Sequence, residues 1–332
     1  MKRFKRLITI IIIVCFFLLL FFVMRVLLTK KTPLEEYLSA HNIVNCLLIG
    51  IDSVDNVSRS DTIILISYNS NTDRFLATFI PRDLRVEMDG KAHKINAIYA
   101  HGYRKGGIKG GISSLKGVVE KELGVEIPYY VQVDYEAFIR IIDILGGVKI
   151  DIEQPMKYID NASGLVIDLQ PGLQVLDGKK SLEYVRYRAD KLGDLGRIER
   201  QRQFFRALFK TVSKEKILFN SPKLIYVLYT KVTTNFTFNE LKFMLKFRDS
   251  MKKENLEIER LPGEPGYISN LSYYLINKDD WEKGFNKFKY MKHDSGSNKT
   301  DSVTIELLNG SKINSAGQYI CLLYTSDAAD EE

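Results

Sequence analysis

Three apolar runs, each about the length of a strand, restrict the fold of this chain more than anything else in it. They read Cys46-Leu-Leu-Ile-Gly-Ile51, Thr62-Ile-Ile-Leu-Ile-Ser-Tyr68 and Phe75-Leu-Ala-Thr-Phe-Ile80, and polar, turn-forming stretches separate them. In a half-exposed strand apolar and polar residues alternate, whereas here apolar side chains follow one another. Strands of that kind are covered on both faces, so helices must lie above and below the sheet. The helices are legible as stripes. Ile112, Leu115, Val119 and Leu123 form one; Phe138, Ile141, Ile142 and Leu145 form a second, which Gly146-Gly147 ends before a strand at Val148-Lys-Ile-Asp-Ile152. Asp177 is placed to cap a third, over 178–185. The expected fold is α/β: a layered α-β-α domain whose central mixed sheet has helices on both faces, preceded by one transmembrane helix.

That last helix is read from residues 7–24, which carry no charge. Continued through Arg25 to Leu28 and rising about 1.5 Å per residue, the run crosses a hydrocarbon core of ~30 Å if Arg25 snorkels to its edge. It is longer than the roughly 7–15 apolar residues of a cleavable signal, and no small-x-small pattern follows, so it reads as an uncleaved anchor. Four bases (Lys2, Arg3, Lys5, Arg6) precede it and three (Arg25, Lys30, Lys31) follow. The positive-inside rule reads this as a cytoplasmic N-terminus, with the remainder outside the cell membrane. The same seven bases account for the net charge of +7, since the other 41 of the 48 are matched by 41 acids. The rest of the chain is formally neutral, and no nucleic-acid partner is expected. Cys15 falls in the anchor, Cys46 in a strand and Cys321 in the tail, so there is no disulfide framework, and no C-x-x-C or H-E-x-x-H pattern offers a metal centre instead.

The chemistry concentrates in Tyr184-Val-Arg-Tyr-Arg-Ala-Asp-Lys-Leu-Gly-Asp-Leu-Gly-Arg-Ile-Glu-Arg-Gln-Arg-Gln-Phe204, where Arg186, Arg188, Arg197, Arg200 and Arg202 stand between apolar runs. Guanidinium forks pair with phosphate oxygens two bonds at a time, and a cluster of them repels itself unless acids or a polyanion neutralise it. Asp190, Asp194 and Glu199 are too few to do so. The spacing from Arg197 onward predicts a helix on which Arg197, Arg200 and Gln201 share one face, while Phe204, Phe205 and Leu208 take another. An exposed helix with ordinary ion pairs is the alternative.

What precedes this stretch favours an anion site. Asp52 follows the first apolar strand and Asp61 precedes the second. If the two strands are neighbours, both carboxylates lie at one sheet edge, as a hard cation, Mg²⁺ or Mn²⁺, needs when substrate phosphates and water complete its shell. Turn formation or capping is the plainer reading of the same acids. Arg59 adds a phosphate contact nearby. Pro81 ends the third strand and turns Arg82 out at the same edge, with Asp83 placed to orient a guanidinium, to accept a proton, or simply to form an ion pair. Lys94, and Lys105 or Lys109 in a glycine-rich loop at 102–111, add further donors. That loop lacks the Walker A spacing, so no nucleotide is expected there. His41, His93, His101 and His293 have no nucleophile or acid at a matching spacing and read as structural or surface residues.

Taken together, Asp52, Arg59-Ser-Asp61-Thr, Ile80-Pro-Arg82-Asp83, Lys94-Ile-Asn96-Ala, Leu145-Gly-Gly-Val148, Leu176-Asp-Gly178, Tyr184-Val-Arg186-Tyr-Arg188 and Asp194-Leu-Gly-Arg197-Ile-Glu-Arg200-Gln201 resemble the signature set of the LytR-CpsA-Psr family. The motifs occur in the family's order over about 45–208. Val54 departs from the pattern, standing where the family commonly has arginine. The resemblance divides the chain into a cytoplasmic stub and anchor (1–31), a juxtamembrane helix (32–44), a catalytic domain (45–265), a helical and linker region (266–302) and the start of a truncated LytR-type C-terminal domain (303–332) with a tail that does not continue the pattern.

The resemblance also implies an activity: a ligase outside the membrane that moves a glycopolymer, such as teichoic acid or capsule, from undecaprenyl pyrophosphate to a peptidoglycan hydroxyl. In that reading Asp52 and Asp61 hold Mg²⁺ or Mn²⁺, while Arg59, Arg82, Lys94, Arg186, Arg188, Arg197, Arg200 and Gln201 bind the pyrophosphate. Arg82, Arg197 and Asp83 are the catalytic candidates, and apolar stripes line a tunnel for the polyprenyl chain. A polyprenyl-phosphate-binding membrane regulator and a lipid pyrophosphatase are the two rival functions.

Overall fold

The apolar runs become the middle of a six-stranded mixed sheet in the computed structural model, which describes residues 31–52, 59–160, 165–188, 193–211, 214–244 and 255–291. Thr32 caps helix α1 (Pro33–Ala40): its hydroxyl accepts from Glu35 N–H, and the Glu35 carboxylate accepts from Thr32 N–H at 2.8 Å. Strands β1 (Ile43–Asp52), β2 (Arg59–Asn69) and β3 (Arg74–Ile80) then form an antiparallel meander. A ribbon of β4 (Arg85–Met88) and β5 (Lys91–Lys94) leads into α2 (Ile95–Leu123), and β6 (Tyr129–Val133) returns parallel to β1. Asp134 caps α3 (Tyr135–Ile144), which is followed by β7 (Val148–Ile152), a hairpin of β8 (Met156–Asp160) and β9 (Leu165–Leu169), and β10 (Gly172–Leu176), paired to β7. Asp177 caps α4 (Gly178–Arg186), as its position predicts.

The second half supplies α5 (Gly193–Thr211), α6 (Lys214–Lys231), the short β11 (Thr233–Thr234) and α7 (Phe238–Met244). It then returns to the sheet as β12 (Leu256–Arg260) and ends in a hairpin of β13 (Gly263–Ile268) and β14 (Leu271–Ile276) and helix α8 (Lys278–Tyr290). Sheet order is β11-β6-β1-β2-β3-β12, with parallel pairs at β1/β6 and β3/β12.

Consecutive residues of the central strands face opposite layers, which is why their sequence is apolar without alternation. Leu47, Ile49, Ile63 and Leu65 pack against Ile98, Ile112 and Leu115 of α2 and Trp281 of α8. Leu48, Ile64 and Ile66, on the reverse face, pack with Ile198 and Phe205 of α5. A further core joins α3, α4 and α5 to the β7–β10 ribbon through Ile142, Ile150, Leu176, Tyr184 and Phe204.

Two expectations change. The glycine-rich stretch 102–111 is not an open loop but part of α2, broken only at Gly106 and Gly107, where the helix folds back on itself. Gly102 and Gly110 touch backbone to backbone there, and a Cβ on Gly102 would stand 2.3 Å from the Gly110 carbonyl oxygen. Lys105 and Lys109 ride exposed on this fold. Secondly, the core continues past 265, because Tyr274 and Trp281 are each 2% exposed within it, and the Trp281 indole donates to the Leu123 carbonyl at 2.9 Å. No helix among the described residues is long and apolar enough to cross a membrane; the expected anchor at 7–24, Val54 and the region 303–332 lie outside them.

Candidate active site

β1 and β2 run in register from Ile43 opposite Asn69 to Gly50 opposite Thr62, and then Ile51 pairs with Ser60. Asp61 is therefore the extra residue of a β-bulge, a device that takes a side chain out of a strand's regular alternation. As a result Asp61 and its neighbour Thr62 line the same cavity. Gly50 is required opposite them, since a Cβ there would lie 2.9 Å from Thr62 Cβ.

Guanidiniums from three separate elements converge on Asp61. Arg82, just past β3, donates to Oδ1 at 3.1 Å; Arg188, just past α4, donates to Oδ2 at 3.2 Å; Arg197, on the first turns of α5, lies 3.9 Å from Oδ1. Arg197 is only 2% exposed, and the Asp61 carboxylate compensates part of its charge. Gln201, one turn further along α5, donates to Thr62 Oγ1 at 3.1 Å. Arg186 stacks on the Tyr135 ring, 4.6 Å from its centroid, and both line the cavity.

The remaining motif residues hold these arginines in place. Lys94 contacts Asp83 at 2.8 Å, and Asp83 lies 3.9 Å from Arg82 Nε, so Asp83 orients the Arg82 side chain. The N–H of Asn96 donates to the Arg82 carbonyl at 3.1 Å, tying the Lys94-Ile-Asn96 motif to the same backbone. The two glycine motifs meet behind α4. A Cβ on Gly147 would stand 2.7 Å from the Leu176 carbonyl oxygen, and one on Gly178 would stand 2.3 Å from that of Ile139. Asp143 accepts from the Gly178 N–H at 2.7 Å, which seats α4 against α3 and thereby aims Arg186 and Arg188. Burial pushes the Tyr184 phenol up to about 12, so it stays protonated and donates to Gln203 at 3.1 Å under the same helix.

Below the arginines the cavity becomes apolar. Its volume is about 290 Å³, and its walls come from β1–β3, β6, α3, α4, α5 and Leu228 of α6. Phe204, Phe205 and Leu208 stand in it on the same side of α5 as Arg197 and Gln201. This corrects the reading of two separate faces: the change from charged to apolar runs along the helix axis, not around it. Arg200 is what occupies the other direction. It donates to the Tyr187 carbonyl at 2.5 Å and stacks over that ring, and it does not line the cavity. The side chains of Asp52 and Arg59 are outside the described set; their backbones pair at the bulged end of β1 and β2.

Among the described residues no three of His, Cys, Asp and Glu come together as a metal cage. Asp61 is a hard oxygen ligand at the mouth, but guanidiniums face both of its oxygens. A divalent cation fits here only in company with phosphate oxygens that draw the arginines away, which is how Mg²⁺ is usually held. Tyr135 is a site residue that the sequence reading does not single out, and Thr62 enters that reading only as the end of the Arg59-Ser-Asp61-Thr motif. Nothing local marks Tyr135, whose partner Arg186 lies in the next helix, beyond the four strands β7–β10.

The chain and the fold that carry this site have counterparts among known proteins. The chain matches the model of the LytR_cpsA_psr family over residues 25–290. It belongs to that family. Among its relatives, the polyisoprenyl-teichoic acid–peptidoglycan teichoic acid transferase TagU of Oceanobacillus iheyensis is 30% identical over 240 residues, 71% of this chain and 72% of the relative. TagU of Bacillus cereus strain ATCC 14579 is 32% identical over 248 residues, 73% of this chain and 76% of the relative. The crystal structure of B. subtilis TagV superposes with a TM-score of 0.61 at 25% identity, over 73% of this chain and 94% of that one. The family match ends at 290, the last residue of α8, so the hairpin and helix after β12 belong to the family domain.

Proposed function

We propose that this LytR_cpsA_psr protein is a membrane-anchored phosphotransferase that works outside the cytoplasm, moving a teichoic-acid-type glycopolymer from a polyprenyl diphosphate carrier to a peptidoglycan hydroxyl. The observation that carries this is the convergence of Arg82, Arg188 and Arg197 on Asp61 at the polar end of an otherwise apolar cavity. A diphosphate with a hydrocarbon tail matches both halves. Its oxygens displace the Asp61 carboxylate from the guanidiniums, and its tail enters between the sheet, α3 and α5. Such a donor also carries its own driving force, which an enzyme without access to ATP requires.

In the reaction the acceptor hydroxyl oxygen bonds to the phosphorus that bears the glycan. The bond from that phosphorus to the bridging oxygen breaks, its electron pair leaves on polyprenyl phosphate, and the hydroxyl proton passes to solvent. Arg82, Arg188 and Arg197 stabilise the charge that accumulates on the leaving phosphate, as preorganised donors do in phosphoryl transfer. Arg186 and Gln201 fix the donor's orientation, with Tyr135 and Thr62 behind them. Asp83 acts through Arg82 and Lys94 and is not the base. Asp61, with Asp52, would hold Mg²⁺ or Mn²⁺ alongside the diphosphate, and such a cation neutralises phosphate charge.

Incubating the full chain in detergent with a polyprenyl-diphosphate glycan, Mg²⁺ and peptidoglycan fragments tests this reading. Glycan joined to peptidoglycan through a phosphodiester is expected. Release of free phosphorylated glycan alone would make the protein a lipid pyrophosphatase, and binding without turnover would make it a regulator. Chelation with EDTA should abolish transfer, and Mn²⁺ should restore it.

A further inference from the structure

Helix α6 has two unlike faces. Leu228 points into the cavity, and Ile225 and Val227 are at most 9% exposed, whereas Tyr226 and Tyr229 are 67% and 63% exposed and lie three residues apart, on adjoining positions of the outer surface. Phe238 of α7, 44% exposed, meets Tyr229 edge-on at 6.3 Å and extends the aromatic surface across both helices. Lys223 is exposed on the same helix.

The position of this patch indicates its occupant. The apolar segment 7–24 lies outside the described chain and leads into α1 at Pro33. Helix α1 is not loose: Leu34 is 3% exposed in a cluster with Tyr129, Phe236 and Leu241, against which Leu38 and Leu228 also pack. Helix α1, the first described element after that segment, is thus fastened to the two helices that carry the exposed aromatics. Tyrosines with an apolar ring and a polar tip, with a lysine such as Lys223 on the same helix, are the side chains that settle at the headgroup level of a bilayer.

We propose that the outer face of α6, with Phe238 of α7, lies on the membrane surface as a second, peripheral contact beside the anchor, which brings the cavity wall at Leu228 close to the bilayer that supplies a lipid-tailed substrate. The inference rests on the anchored, lipid-substrate reading given above and goes beyond it by assigning the face that docks.

The single tryptophan of the chain, Trp281, is 2% exposed in the core and gives a constant background. Full-length Tyr229→Trp and, as a control, Tyr290→Trp on exposed α8 are reconstituted into vesicles containing phosphatidylglycerol, with and without brominated acyl chains. The added emission of Tyr229→Trp is expected to be blue-shifted and to be mostly quenched by the brominated lipid, while that of Tyr290→Trp is unchanged. Equal quenching at the two positions would overturn the proposal, as would a blue shift at 229 without quenching, which would put a protein partner or a second copy on this face. If the chain fails to float with the vesicles, the anchor and the docking face fall together. If it floats with 229 unquenched, only the docking face falls.

Discussion

Arg197 and Asp61 set the energetics of the site between them. A guanidinium that is 2% exposed keeps its charge, so it must have compensation nearby, and Asp61 at 3.9 Å provides part of it while Arg82 and Arg188 share the same carboxylate. Asp61→Asn should therefore lower the melting temperature of the ligand-free protein, by roughly 2–4 °C for each ~1 kcal/mol lost. It should also increase the further stabilisation given by added pyrophosphate, because the anion then takes over the missing charge; thermal melts with and without pyrophosphate measure both. Arg197→Lys keeps the charge but loses the fork, and transfer should fall about 100-fold at saturating donor with the melt little changed. Glu259 makes a prediction about pH. Burial raises its pKa above the ordinary 4.5, although the Thr78 hydroxyl donates to it at 3.1 Å. Its favourable contribution is complete below the unfolded-state value and is lost as pH rises through the folded one. Glu259→Gln should accordingly stabilise the protein at pH 7–8 and make no difference near pH 4, as read from urea midpoints. At this scale the sequence named the residues that the structure brings together, Asp61, Arg82, Arg188, Arg197 and Gln201, because motif chemistry is local. It did not show that Arg200 turns to Tyr187 or that Tyr135 supports Arg186, since both depend on helix phase and on residues from other elements.

The elements convert those identities into geometry, and glycines at their contacts do much of the aiming. Gly178 lets the start of α4 lie against Ile139 of α3, where a Cβ would be 2.3 Å from a carbonyl oxygen. Gly178→Ala should push α4 outward, carry Arg186 and Arg188 with it, and cost roughly 1–3 kcal/mol of stability as overpacking. Pyrophosphate affinity should fall in the same variant, measured by calorimetry. Gly117, in the regular part of α2, is the opposite case, with nothing within 4 Å of an added Cβ. Gly117→Ala should stabilise by about 0.5–1 kcal/mol and leave transfer unchanged, which separates helix propensity from site geometry. Elements with strong periodicity or a cap were legible in sequence: α4 to within a residue at each end, α3 as a stripe closed by Gly146-Gly147. α6 was not, because Pro222 sits inside it and its exposed tyrosines blur the stripe. The β8–β9 hairpin escaped for a related reason: Ile159 and Val166, 67% and 59% exposed, interrupt the in-out alternation that marks a half-buried strand.

For the molecule as a whole, what matters is that the two faces of one sheet are used differently. The face under α2 and α8 is filled by Leu47, Ile49, Leu65, Leu115 and Trp281, the role expected of apolar runs covered on both sides. The face under α3 and α5 is filled only in part, and the remaining space forms the cavity of about 290 Å³ that opens at Asp61. Sequence could announce two covered faces but not which one stays open, since helix stripes look alike whether they meet another side chain or a void. If the void holds the donor's hydrocarbon tail, filling it should affect long tails selectively. Leu208, partly buried on α5, lines the apolar end, two turns of helix beyond Gln201. Leu208→Trp should occupy that end at little cost to folding, because it adds volume where space already exists. Transfer from a long polyprenyl donor should drop by more than about tenfold, while a donor with a single isoprene unit, too short to span the two helix turns to residue 208, should be used nearly as before. Equal loss with both donors, at an unchanged melting temperature, would mean that the tail lies elsewhere and that the apolar space is packing slack in the fold.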